Sequence, residues 1–177
     1  MNLKNNLSNH GSNFLKVLVK RGSSVESTHR AHASICDTKG RILMKAGSSE
    51  YETFIRSALK PFQALPFLTS GASEKFNLDN KTLALACGSH CGSSNQARTA
   101  FKLLWNADID IKKLKCPIPP NRQSNLQHNC SGKHSAFLAT CKKMNWDLES
   151  YLMGHHPLQI EIFRRVSELL KIPAEEL

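Results

Sequence analysis

The sequence predicts an α+β chain in which strands come first and helices follow. Three observations carry this prediction. Phe14–Val25 and His29–Lys45 are rich in β-branched or alternating residues, punctuated at Arg21-Gly22-Ser23-Ser24 and Asp37-Thr38-Lys39-Gly40. Beyond Lys60 the punctuation becomes that of helix starts, with Asp79 or Asn80 ahead of Lys81–Cys87 and Ser93-Ser94-Asn95-Gln96 ahead of a long stretch. The last long segment places Gln159, Ile162, Phe163, Val166, Leu169 and Leu170 at helical spacing.

At 177 residues the chain is long enough for one domain with a buried core. Residues 1–13 are polar, asparagine-rich and without period, and read as a loose tail before a domain spanning 14–177. Twenty-four basic against 14 acidic residues give a net charge of +10, which invites a nucleic-acid or acidic partner. The positive charge is scattered, however, over Lys112-Lys113-Leu114-Lys115, Lys142-Lys143 and Arg164-Arg165, with two Tyr and two Trp as stacking platforms. A solvated basic surface is the better reading, with no nucleic acid as partner.

Phe14–Val19 is apolar but short and carries Lys16, so it reads neither as a signal segment nor as a membrane span. With six cysteines in a chain of this length and no secretion signal, reduced thiols in a cytoplasm are expected rather than a disulfide framework.

In chain order, the first strand is expected to break at Arg21–Ser24, and His29–Cys36 and Arg41–Lys45 to flank a turn, making an N-terminal β-hairpin. A loop at Gly47-Ser48-Ser49-Glu50 leads to Ser57. A helix then runs to about Thr69, bends at Pro66 and stops at Gly71. The Leu83-Ala84-Leu85-Ala86 run reads as buried on all sides. Cys116-Pro117-Ile118-Pro119-Pro120 is an extended connector, and His155-His156 belongs to a surface turn. The apolar stripe of the last helix has to pack on something. Ile172–Leu177 resembles the opening of another helix.

Three clusters carry chemistry. In Ile55-Arg56-Ser57-Ala58-Leu59-Lys60-Pro61, Ser57 and Lys60 are three apart, which on a helical turn makes them neighbours. A serine needs a base beside it, and a lysine is a base once its amine is neutral, which burial or a nearby cation favours. Pro61 biases Lys60 away from the α region and is favoured in a first helical turn, so the regular helix is expected to begin there. Ser57 is then left on a tighter preceding turn. The second cluster, Cys87-Gly88-Ser89-His90-Cys91-Gly92-Ser93, sets a hydroxyl beside an imidazole in a glycine-bearing loop between helices. Its cysteines lack the spacing of paired metal knuckles.

The third, Asn129-Cys130-Ser131-Gly132-Lys133-His134, carries thiol, amine and imidazole into a helix start. Such a position favours anions or a metal-bound thiolate. It is not a phosphate loop, since Gln127 stands where the Walker pattern needs a glycine.

In this order the motifs Arg-Ser-Ala-Leu-Lys-Pro-Phe-Gln-Ala-Leu, Ala-Cys-Gly-Ser-His-Cys-Gly and Asn-Cys-Ser-Gly-Lys-His resemble the asparaginase II family of Rhizobium etli type. That family's fold is similar to serine β-lactamases and glutaminases. The resemblance implies hydrolysis of the L-asparagine side-chain amide, with Ser57 as nucleophile, Lys60 as its base and Ser89 as a second catalytic serine. It further implies Cys130 and Lys133 as two of three zinc ligands, and Arg56, His90 and His134 near substrate or metal. The family's later half supplies a cysteine as third ligand and a lysine for the second serine. The chain is therefore expected to be an N-terminal portion, inactive or weakly active unless a second chain or a homodimer partner completes it. Two other classes stand beside this one: a catalytically silent remnant serving as a binding or regulatory module, and a basic nucleic-acid-binding domain.

Overall fold

The computed structural model describes residues 14–176; the expected tail, 1–13, lies outside them. The chain divides into two compact units, Met1–Phe54 and Ile55–Leu177.

The first unit is made of strands. β1 (Leu15–Arg21) pairs antiparallel with β2 (Ser24–Ala31), and β3 (Ala33–Cys36) with β4 (Ile42–Ala46), as two separate two-stranded sheets. One hairpin was expected and two are found. Arg21–Ser24 closes a hairpin of its own because Gly22, at φ 61°, supplies the left-handed backbone that a tight hairpin turn needs. The second turn is the expected one: the Asp37 carboxylate accepts the backbone N–H groups of Lys39 and Arg41. Val17, Val19, Ile35 and Met44 are all exposed, so these ribbons hold no core of their own.

The second unit is helical. A 3₁₀ turn (Arg56–Leu59) leads into α1 (Lys60–Gln63) and α2 (Leu65–Thr69), which break at Ala64 ahead of Pro66. Gly71, at φ 72°, ends α2 and begins α3 (Ala72–Lys75). α4 (Asn80–Cys87) is capped by Asp79, whose Oδ1 accepts the Thr82 N–H at 3.0 Å. α5 (Ser94–Asn106) opens with the expected capping box between Ser93 and Gln96. α6 (Ser131–Met144) and α7 (Pro157–Leu170) complete the set, with no regular element between Leu114 and Pro119.

α6 is the axis of this unit. Its residues Ser135–Cys141 are all buried, and it packs on α4 and α5, so that Ala136, Leu138 and Ala139 share one core with Leu85, Leu103 and Leu104. Each of these leucines removes apolar surface worth about 1.5–3 kcal/mol. Gly132 makes the approach possible, because a Cβ there would sit 2.4 Å from the Leu85 carbonyl oxygen. The glycine before Lys133 therefore serves packing.

Three expectations are corrected here. In the run Leu83–Ala86 only Leu85 and Ala86 are buried, while Ala84 faces solvent, since α4 has one side open. On α7 the packed stripe is Leu158, Ile162 and Val166, leaving Phe163, Leu169 and Leu170 exposed. His156 is buried rather than on a surface turn. Its Nδ1 accepts the Leu158 N–H to cap α7 while Nε2 donates to the Asp147 carbonyl. Ala174–Glu176 is a 3₁₀ turn. The short basic runs are tied to acids: Lys113 to Glu149, Lys142 to Asp108, and Arg164 and Arg165 to Glu161.

Two measurements test this packing. Gly132→Ala is expected to destabilise the chain by about 1–3 kcal/mol in denaturant unfolding, because either α6 or the Leu85 backbone has to shift. The Asp147 carboxyl is held down to about 2, first by the Ser150 hydroxyl and then by the backbone N–H groups of Glu149 and Ser150. Its contribution is therefore present above the unfolded value of about 3.9 and is lost as pH falls through about 2. Asp147→Asn is expected to unfold more easily at neutral pH and to lose less stability across that acid window.

Candidate functional site

The centre of the candidate site is Lys60. Its side chain is 2 % exposed, yet it carries an amine, which at that depth needs partners. Three converge on it. Nζ lies 2.6 Å from Ser89 Oγ, 3.2 Å from the Gly88 carbonyl and 3.3 Å from the Asn129 carbonyl. One side chain thus ties α1 to the loop after α4 and to the loop before α6. A neutral amine has two N–H groups for the carbonyls and one lone pair for the Ser89 hydroxyl. An ammonium would donate to all three.

Ser57 is placed differently. It lies on the 3₁₀ turn Arg56–Leu59, exposed, and the Lys60 backbone N–H donates to its carbonyl. The tighter turn ahead of Pro61 is the one expected. The Ser57 hydroxyl, however, makes no hydrogen bond to Lys60 among the described residues: the amine turns to Ser89 instead. Arg56 is exposed and has φ 49°, a left-handed backbone that a non-glycine residue adopts at a cost of about 1–3 kcal/mol.

His90 proves to be a brace. Its Nδ1 accepts the Gly92 N–H at 3.2 Å, so Nε2 carries the proton and donates to Ser131 Oγ at 3.0 Å; that hydroxyl in turn donates to the Leu126 carbonyl. With both ring nitrogens engaged inside the fold, His90 stitches the Ser89 loop to the start of α6 and has no free nitrogen for a substrate. Its backbone N–H donates to the Asn129 carbonyl as well. Gly92, at φ 72°, is pressed against the Gln127 carbonyl, where a Cβ would lie 2.1 Å from the oxygen.

At the head of α6, Cys130 is the N-cap residue and half-buried. The Lys133 amine donates to Gln63 Oε1 at 3.2 Å and lies 5.3 Å over the Phe137 ring. Burial, above all, lowers its proton affinity. His134 Nδ1 is 2.9 Å from the hydroxyl of buried Tyr151. That phenol already accepts the Lys115 N–H, and burial raises its pKa, so its own proton goes to His134. His134 is then neutral with Nε2–H, consistent with burial and the charge of Lys133 pushing it down to about 3. Burial first, and then the charges of Lys60 and Lys133, lower His128. The locality is cationic and suits an anionic group.

Cys130 and Lys133 are two donors on one helical turn, but among the described residues no three His, Cys, Asp or Glu side chains come together to hold a metal ion.

The structure thus unites Lys60, Ser89 and His90, sets Cys130, Lys133 and His134 along the α6 start that shares Asn129 with them, and leaves Ser57 and Arg56 on the surface turn before Lys60. Sequence reasoning missed Asn129, Gln63 and Tyr151. The first acts through its backbone carbonyl, which no residue type announces, and the others by fold-made contacts. A cavity of about 350 Å³ opens beside Gly88, Ser89 and His90.

No curated protein matches the sequence. The family model for L-asparaginase II matches residues 17–177, a span that takes in all three motifs and every residue of the site. The chain belongs to the L-asparaginase II family.

Proposed function

We propose that this chain hydrolyses the side-chain amide of L-asparagine through a serine ester, with Lys60 moving the proton. Family membership supplies the class, an asparaginase-like amidohydrolase acting on a small molecule. The observation that carries the serine chemistry is the 2.6 Å contact of the buried Lys60 amine with Ser89 Oγ. A dry lysine beside a hydroxyl is the arrangement that activates serine without histidine. The order of motifs further supports a β-lactamase-like arrangement of the Rhizobium etli type.

In this reading Ser57, exposed and three residues ahead of Lys60, is the nucleophile. Its proton passes to the Lys60 amine, directly or by way of Ser89, as the Ser57 oxygen bonds to the carboxamide carbon. The carbonyl π pair moves onto oxygen. Collapse of this tetrahedral species breaks the C–N bond, and the proton held by Lys60 goes to the departing nitrogen, which leaves as ammonia. Water then attacks the aspartyl ester, Lys60 takes its proton, and the serine oxygen leaves with that proton to give L-aspartate. No step is routed through zinc. The Lys133 amine and the Nε2–H of His134 suit both the oxyanion and a substrate carboxylate.

The test is ammonia release from L-asparagine with acid-quenched mass spectrometry. Ser57→Ala and Lys60→Met are each expected to reduce release by about 10³-fold or more, and Ser89→Ala by about 10²-fold. The quenched adduct should sit on the peptide holding Ser57. An adduct on Ser89 would exchange the roles of the two serines. A folded chain that releases no ammonia, with or without added zinc, would favour a catalytically silent binding module.

A further inference from the structure

The cavity beside Ser89 runs along one face of α4. Lys81, Ala84, Leu85 and Gly88 follow at the i, i+3, i+4, i+7 spacing of a single helical stripe and form one wall. Asn95 and Thr99, one turn apart on α5, form the other, with Gln96 beside them. Ser89 closes one end of this groove and Lys81 stands at the other.

The chemistry of the lining is one-sided. Lys81 is the only formal cation in it, no acidic residue lines it, and among the described residues the Lys81 amine has no ion pair or hydrogen bond. That distinguishes it from neighbouring Lys102, which is held by Asp79 at 2.8 Å. Gln96 spends its side-chain oxygen on the Ser93 N–H and the Cys91 thiol, which leaves its amide N–H groups uncommitted. The Asn95 side chain is likewise uncommitted among the described residues, and Thr99 satisfies its own hydroxyl on the Asn95 carbonyl. The groove offers amide N–H donors and a positive charge, and no carboxylate.

We propose that Lys81 is a specificity residue that receives the carboxylate of an amide substrate whose amide end lies at the Lys60–Ser89 pair. This rests on the amidohydrolase reading and narrows its substrates to amides bearing a carboxylate. Gly88 follows Lys81 by seven positions, about 10 Å at the helical rise, and the four-carbon lysine stem spans part of it. A short ω-amide such as L-asparagine fits the remainder. Its carboxylate then meets Lys81 with the carboxamides of Asn95 and Gln96 in support, while its amide end faces the Lys60–Ser89 pair. A substrate with that carboxylate masked loses the partner.

The test compares L-asparagine with L-asparagine amide, whose α-carboxylate is neutralised, on the full chain and on Lys81→Met and Lys81→Arg. Lys81 is exposed, so its replacement leaves the fold intact. The expected result is a fall of about 10-fold in kcat/KM for L-asparagine, carried by KM, with no change for L-asparagine amide and recovery in Lys81→Arg. Equal losses on both substrates, or no loss on either, would overturn the proposal. If the wild-type chain releases no ammonia, the hydrolase reading fails separately. Calorimetric titration with L-asparagine then decides this one: about 10-fold weaker binding in Lys81→Met supports it, and equal or absent binding refutes it.

Discussion

The helical unit is organised around a buried amine. Lys60 reaches past α1 to two backbone carbonyls and one hydroxyl that belong to separate loops. Taking a lysine head out of water is costly unless such partners are already in place. Much of the surrounding structure serves to put them there. Asp79 caps α4, whose end presents Gly88 and Ser89. His90, pinned by Gly92 and Ser131, fixes the direction of that loop. Gly132 lets α6 lie close enough to Leu85 to bring Asn129 into range. The packed core of α4, α5 and α6 and the polar centre thus depend on the same few contacts.

This arrangement makes the histidines easier to interpret. Adjacent imidazoles and hydroxyls in a sequence invite a relay, yet His90 has both nitrogens committed to the fold and His156 is a helix cap. His134 is held neutral through Tyr151, which leaves its Nε2–H as a donor. A cationic locality with donors and a buried amine is compatible with the proposed amide hydrolysis, in which a carboxylate is bound and an oxyanion develops. Burial is what lowers the proton affinity of Lys133, against the thiol of Cys130 beside it.

A good part of this was legible in the sequence, and the reason is local. The Ser93–Gln96 capping box, the Asp79 cap, the stop at Gly71 and the tight turn ahead of Pro61 depend on residues close in the chain, and each is found. Each of the three motifs contributes to the contacts around the Lys60 amine. What the sequence did not show depends on distance along the chain. Which serine the Lys60 amine meets is decided by the approach of residues 29 positions away, and the carbonyl of Asn129 comes from 69 away. The first hairpin turn, at Gly22, reads in the sequence as a strand break because the residues either side of it are polar. The burial of α4 and α7 was overread because periodicity marks an apolar face without saying how much of it finds a partner.

The central claim is that Lys60 is sheltered and engaged by Ser89, and its reactivity tests this most directly. Brief labelling of the native chain with an amine-acylating reagent, followed by peptide mass spectrometry, compares lysines within one molecule. The account predicts that Lys60 is modified at least about 10-fold more slowly than exposed Lys81, from the difference in access to a buried amine, and that Ser89→Ala speeds its modification. Lys60 labelling as fast as Lys81 in the unaltered chain would contradict it.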